Sequence, residues 1–235
     1  RYDHLFVHNT YQVEKFHSYG MHRLTQVGSY PNRSMMRREA KSARDDALVI
    51  GRLGTIYAKH GFEELIEAFR HLLVRQEQSG SPVRYKLFLA GHVFDAYRDE
   101  LDALVRSLGE HVEIEGAYQP SDLSHLYEKI DLSILLYDGH WLRHVTPTKL
   151  FESLANGVPV VASGIGDMPR IVREEECGVI VDEKNPRDIC LAIEKLAADK
   201  NLRDRMAQNA LVAAEARYTW EACKERFLAA YQSLS

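Results

Sequence analysis

The sequence predicts an α/β fold: a doubly wound, parallel six-stranded sheet, preceded by the remnant of another α/β unit. Two observations carry that expectation. Short apolar runs of strand length alternate with longer segments of helical spacing, the pattern of parallel strands joined by crossover helices. Four of the helical segments also open beside a proline, which suits a first turn whose N–H groups have no intrahelical acceptor.

Taken in order, "DHLFVHN", "TYQVEKFHSYG" and "RLTQVGSYPN" read as strand, helix and strand, and residues 1–32 are expected to be the last elements of a preceding domain. The stretch "NRSMMRREAKSARDD" then gathers Arg33, Arg37, Arg38, Lys41 and Arg44, so residues 33–46 read as a linker. Its cations suit a solvated face, or contact with a phosphate, an anionic membrane surface or a partner. Strands follow at "ALVIG" (47–51), "YKLFLA" (85–90), "HVEIEG" (111–116), "DLSILLY" (131–137), "VPVVAS" (158–163) and "GVIV" (178–181). Between and after them lie the helices "GFEELIEAFRHLLVRQ", "DAYRDELDALVRSLG", "PSDLSHLYEKI", "TPTKLFESLANG", "DMPRIVREEE" and "PRDICLAIEKLAAD". Two more helices, "NLRDRMAQNALVAAEAR" and "YTWEACKERFLAAYQSL", have no strand between them, and the main unit is drawn at 47–216.

Composition narrows the function classes. The 235 residues are 45% hydrophobic, ordinary for a globular protein, and no apolar run approaches the roughly 20 residues that cross a bilayer. A net charge of −4 from interleaved signs argues against a nucleic-acid binder. Cys177, Cys190 and Cys223 are odd in number and far apart, which fits a reducing, cytoplasmic setting with all three as small apolar residues. The chain opens at an arginine, and it is expected to be a piece of something longer.

Open parallel sheets bind ligands beyond the carboxyl ends of their strands. None of the loops there carries Gly-x-Gly-x-x-Gly or a Gly-Lys-Ser/Thr phosphate loop, which disfavours a nicotinamide dehydrogenase and a P-loop enzyme. They do carry diphosphate chemistry. In "TPTKLFESLANG", Thr146 or Thr148 suits the N-cap and Pro147 the first turn, leaving the amides of Thr148, Lys149 and Leu150 directed at an anion. Glu152, one turn on, suits ribose hydroxyls or a surface salt bridge. Arg52 and Lys59 follow the first strand of the sheet, where an arginine forks phosphate oxygens and a lysine adds a point charge. Gly91 in "AGHVF" and Tyr118 in "EGAYQPSD" occupy neighbouring crevice loops and complete the candidate binding set.

"GRLGTIYAKHGFEELIEAF", "LAGH", "HVEIEGAY", "LYEKIDLSILL", "PTKLFESLANGVPVVAS" and "CGVIV", in this order, resemble the C-terminal donor-binding domain of GT-B glycosyltransferases of the group 1, family 4 type. The resemblance covers roughly residues 47–234. It implies a Rossmann-like domain in which Arg52 and Lys59 hold the diphosphate of a nucleotide sugar, the 148–150 amides complete that site, and Glu152 binds ribose. It further implies an N-terminal acceptor domain, in the same longer chain or a separate subunit, to which the closing helix at 217–235 returns. Three positions depart from the family pattern. His144 stands where the first of two glutamates faces the donor sugar, making His144 or Arg143 the sugar contact. The loop from Arg52 to Lys59 is long, with His60 directly before Gly61. Arg170 replaces a glutamate common in the loop "GIGDMPR".

The resemblance implies retaining, metal-independent glycosyl transfer in glycan, polysaccharide or glycolipid synthesis, with a UDP- or GDP-sugar as substrate and no cofactor. Peripheral membrane contact fits such a role. Asp138, His140 and His144 lack a defined third ligand geometry for a metal, and Tyr137 and Trp141 read as packing around that loop. Two other classes stay open: a nucleotide-sugar-binding subunit that depends on a partner, and a non-catalytic nucleotide-binding domain. A sugar-nucleotide epimerase shares the fold and is a further enzyme class.

Overall fold

The computed structural model describes residues 3–41, 47–58, 60–138 and 144–234. Its first elements are β1 (Leu5–Val7), α1 (Thr10–Ser18) and β2 (Leu24–Gln26), with β1 and β2 paired in parallel. The main sheet then builds through β3 (Ala47–Leu53), α2 (Phe62–Ser79), β4 (Arg84–Ala90), α3 (Asp95–Val105), β5 (Val112–Glu115) and α4 (Leu123–Lys129). It continues with β6 (Leu132–Leu135), α5 (Thr148–Ala155), β7 (Val160–Ser163), α6 (Met168–Glu174), β8 (Gly178–Val181) and α7 (Pro186–Ala198). Helices α8 (Lys200–Arg217) and α9 (Trp220–Gln232) follow. All six expected strands of the main sheet form, with ends displaced by no more than two residues.

The sheet order is β5-β4-β3-β6-β7-β8, every pair parallel. Winding therefore runs outward from β3 in one direction and from β6 in the other, and the crevice opens where the two halves part. Strands β6 and β7 are buried along their whole length, as helices on both faces require. On one face Ile50, Leu87 and Val161 pack with α2 and α7; on the other Phe88 joins α4, while Leu135 and Val160 join α5 and α8. Each such aliphatic side chain stabilises the fold by roughly 1.5–3 kcal/mol.

Residues 3–32 dock onto this body through aromatic contacts. Tyr30 meets Phe151 edge-on at 4.7 Å and lies 5.8 Å from Tyr218. The Trp220 amide donates to the Pro31 carbonyl, and the Phe6 ring packs at a tilt on Phe227 of α9 with centroids 4.7 Å apart, so α9 lies against the β1–β2 unit. The 33–41 stretch differs from a solvated spacer. Lys41 Nζ donates to Asp131 Oδ1 at 2.6 Å and to the Glu128 carbonyl at 3.0 Å, capping the end of α4 with a cation. The Arg37 amide reaches the Ala155 carbonyl and the Arg33 amide reaches Glu221 Oε2, which leaves Arg33 and Arg38 as its exposed cations. Arg44 lies outside the described residues.

Candidate functional site

The crevice floor is set by two loops laced together beyond β3 and β4. The Gly54 amide donates to the Ala90 carbonyl, Ile56 to His92, and Phe94 back to Ile56. Gly91 has φ 148, and a Cβ built there would lie 1.8 Å from the Gly54 carbonyl oxygen. Only glycine allows that approach.

Arg52 sits at the end of β3, 4% exposed. Its Nη1 donates to the Ile134 carbonyl at 3.0 Å and its Nη2 to the His60 carbonyl at 3.4 Å. The guanidinium lies 4.6 Å from the Tyr137 ring centroid and 5.3 Å from that of Phe62. It is thus a buried cation beneath the crevice, with two of its five donors occupied. His60 beside it is buried against Tyr57, and burial together with the Arg52 charge lowers its pKa to about 4. Lys59 lies outside the described residues, as do Arg143, His140 and Trp141.

Helix α5 begins differently from the sequence expectation. Pro147, extended at ψ 132, takes the N-cap position, and no side chain caps the start. The Thr146 hydroxyl turns away to Asp167 Oδ2, which explains why it does not cap. Leu150 is a correction to the candidate set: its amide closes a tight turn onto the Pro147 carbonyl at 3.1 Å, and its side chain is fully buried. The amides of Thr148 and Lys149 are left at the start of the helix, where the backbone dipole is positive.

Lys149 reaches back across the crevice floor. Its Cε would lie 3.3 Å from a Cβ at Gly54, and its Nζ is 5.5 Å from the Tyr118 ring centroid and 2.6 Å from Glu152 Oε2. Burial pulls the Lys149 pKa down, but the charge and hydrogen bond of Glu152, joined by those of Tyr118, together more than offset it, and the net shift is upward. Burial raises the Tyr118 pKa against the opposing charge of Lys149. Gly91, Tyr118, Lys149 and Glu152 thus belong to one constellation, with Arg52 below it.

Across the crevice stands the start of α1. Asn9 caps α1 through Gln12 and donates from Nδ2 to the His144 carbonyl, and the His144 ring stacks on Tyr11 with centroids 3.7 Å apart. Between the two sides is a hollow of about 450 Å³ lined by His8, Asn9, Tyr137, His144, Thr148 and Lys149 among others. A larger depression of about 810 Å³, lined by Arg70, Val74, Ser107 and His111, lies towards the amino ends of β4 and β5, away from these groups.

Sequence reasoning missed Asn9, Tyr11, Tyr137 as a partner of Arg52, and Asp167. The available signal was modest: Asn9 precedes a helical pattern, and Asp167 precedes Met168-Pro169 as a helix start does. Among the described residues no group of His, Cys, Asp or Glu is arranged to hold a metal ion, and the Asp138 carboxylate pairs with Lys184. The three cysteines are buried and unbridged. No helix among the described residues is long and apolar enough to cross a membrane.

With a helix start, a buried arginine and a lysine–glutamate pair gathered at the switch point of an open parallel sheet, the architecture is an α/β domain of the Rossmann-like kind. The chain belongs to the glycosyl transferases group 1 family, whose profile matches residues 36–212. A glycosyltransferase of Methanocaldococcus jannaschii is 27% identical over 188 residues, spanning 78% of this chain and 44% of that protein. Sucrose-phosphate synthase from Thermosynechococcus elongatus superposes with a TM-score of 0.76 at 18% identity, over 100% of this chain and 59% of its own. HepE of Anabaena, solved in complex with UDP, gives 0.74 at 16%, over 98% and 64%. The chain thus spans 44% to 64% of the length of these three proteins, and the fold shared with the two solved structures is GT-B.

Proposed function

We propose that this chain is the donor half of a nucleotide-sugar-dependent glycosyltransferase, acting with retention and without a metal in glycan or glycolipid synthesis. The observation that carries the reading is the start of α5, uncapped by any side chain, opening on the hollow at the switch point with Lys149 and Glu152 one turn apart. In this reading the diphosphate meets the Thr148 and Lys149 amides and the Lys149 ammonium, with Arg52 supplying positive potential from below it and Lys59 taking the further cationic role that the family resemblance implies. Charge that develops on the departing phosphate oxygen is met by donors already in place. Glu152 exchanges part of its bond to Lys149 for the ribose hydroxyls, Gly91 and Tyr118 border the nucleoside, and His144 faces the sugar where the family carries a glutamate.

UDP is the first nucleotide to try, since HepE was solved with it. The acceptor lies against an N-terminal domain in a longer chain or a partner subunit, so this chain alone binds nucleotide weakly and transfers nothing. Exposed Arg33 and Arg38 offer a peripheral contact to an anionic membrane surface.

The test is calorimetric titration with UDP, GDP and ADP, beside Glu152→Ala. Binding of one nucleotide, weakened about tenfold or more by the substitution, supports the reading. Equal affinity in both proteins removes Glu152 from the site, and no binding at millimolar nucleotide leaves the donor reading without support in this chain.

A further inference from the structure

We infer that Asp167 is a positioning residue that fastens the α1 side of the crevice to the start of α5, so that nucleotide binding at α5 is felt in α1. Its carboxylate is buried at 8% exposure. One oxygen, Oδ2, accepts from the Thr10 amide at 3.1 Å and from the Thr146 hydroxyl at 3.4 Å. Thr10 is the first residue of α1, and Thr146 immediately precedes Pro147, the N-cap of α5. A single carboxylate therefore joins three elements: α6, at whose N-cap it sits, the opening of α1, and the approach to α5.

Neighbouring contacts run the same way. Asn9 Nδ2 grips the His144 carbonyl while Tyr11 stacks on the His144 ring, so residues 9, 10 and 11 each hold residue 144 or residue 167. Asp167 is the one charged member, and a carboxylate at a helix start is stabilised by the local amides and dipole. Of the two helix starts that border the hollow, that of α1 is filled by the protein's own acceptors, Asp167 for Thr10 and Asn9 for Gln12. That of α5 has no such side chain. The occupied start holds the walls together, and the other is left for the ligand's phosphates.

The inference rests on the donor-binding reading only for the ligand that pulls on the clamp; the clamp itself is testable without it. The experiment is hydrogen exchange read by mass spectrometry on the wild type, Asp167→Ala and Asp167→Asn, each without and with UDP. Without nucleotide, Asp167→Ala is expected to speed exchange about tenfold or more in residues 9–18 and in 144–150 together, the worth of at least one charge-assisted hydrogen bond. Helices α7 and α8 stay unchanged, and Asp167→Asn, which keeps an acceptor oxygen, recovers much of the loss. With UDP, the wild type gains protection in both segments and Asp167→Ala only in 144–150. Unchanged exchange in either segment of Asp167→Ala overturns the clamp, as does a uniform rise across α7 and α8. If UDP leaves the wild type untouched while the apo differences appear, the clamp stands and the donor reading fails.

Discussion

Lys149 Nζ and Glu152 Oε2 lie 2.6 Å apart, one turn along the same helix, with side chains only 19% and 14% exposed. The pair fixes the ammonium over the crevice floor and the carboxylate at its edge. Removing either partner strands the other in a poorly solvated place. Glu152→Ala is expected to cost about 1–2 kcal/mol in urea unfolding, and Lys149→Met about the same. Because the Lys149 pKa is raised, its contribution is complete below the ordinary lysine value of about 10.4 and is lost only as pH climbs through the higher folded value. Stability difference curves between wild type and Lys149→Met should be flat from about pH 6 to 9; a slope there contradicts this assignment.

Arg52 separates holding the fold from holding the ligand. Arg52→Ala removes two hydrogen bonds to carbonyls and the stacking on Tyr137, and is expected to cost about 3 kcal/mol. Arg52→Lys keeps the cation but not the fork, at about 1–2 kcal/mol. Its UDP affinity, measured where it is fully folded, should fall about tenfold. Undiminished affinity would reduce Arg52 to a structural role.

Gly91 is the tightest backbone approach in the crevice. Gly91→Ala places a methyl 1.8 Å from the Gly54 carbonyl at a φ that disfavours side chains, so the two loops must part. A loss of at least about 3 kcal/mol is expected by thermal or urea unfolding. Gly109→Ala is the control: its φ of 53 is also positive but nothing stands within 4 Å, and the cost should be near 1 kcal/mol.

His60 makes stability depend on mild acid. Its folded-state pKa of about 4 lies below the ordinary histidine value of about 6.5. Between those values the unfolded chain takes up a proton that the folded chain refuses, so stability falls as pH drops from 6.5 towards 4. His60→Asn is expected to be less stable at pH 7.5 but to lose on the order of 2 kcal/mol less than wild type down to pH 4.5. Parallel curves for the two proteins would show that His60 is not the group responsible.

The strands and helices were legible because each buries a face whose period is written in consecutive residues. The whole-strand burial of "LSIL" and "VVAS" needed no knowledge of neighbours. The candidate site was legible only in part. Glu152 and Lys149 stand out because their spacing is local, and Gly91 because it follows a strand. Asp167 and Thr10 meet across 157 positions, and nothing near either one announces the other. Arg52 was readable as a cation at a strand end, but its burial depends on Phe62 and Tyr137 arriving from separate elements. The Leu150 amide was misread because a proline N-cap tightens the first turn, a matter of one backbone angle.

The contacts that join residues 3–32 to α9 carry a consequence for synthesis. Arg33 and Glu221, bonded at 2.7 Å, are 188 positions apart, and Trp220 and Pro31 are similarly distant. A ribosome adding about 5–20 residues each second leaves the first of these segments waiting many seconds for its partner. During that interval β3 to β8 can emerge and pair and Tyr30 can meet Phe151 of α5, while Phe6 still waits for Phe227 of α9. The half of the crevice built by α1 thus precedes the main sheet in synthesis and is fastened to α9 only after it.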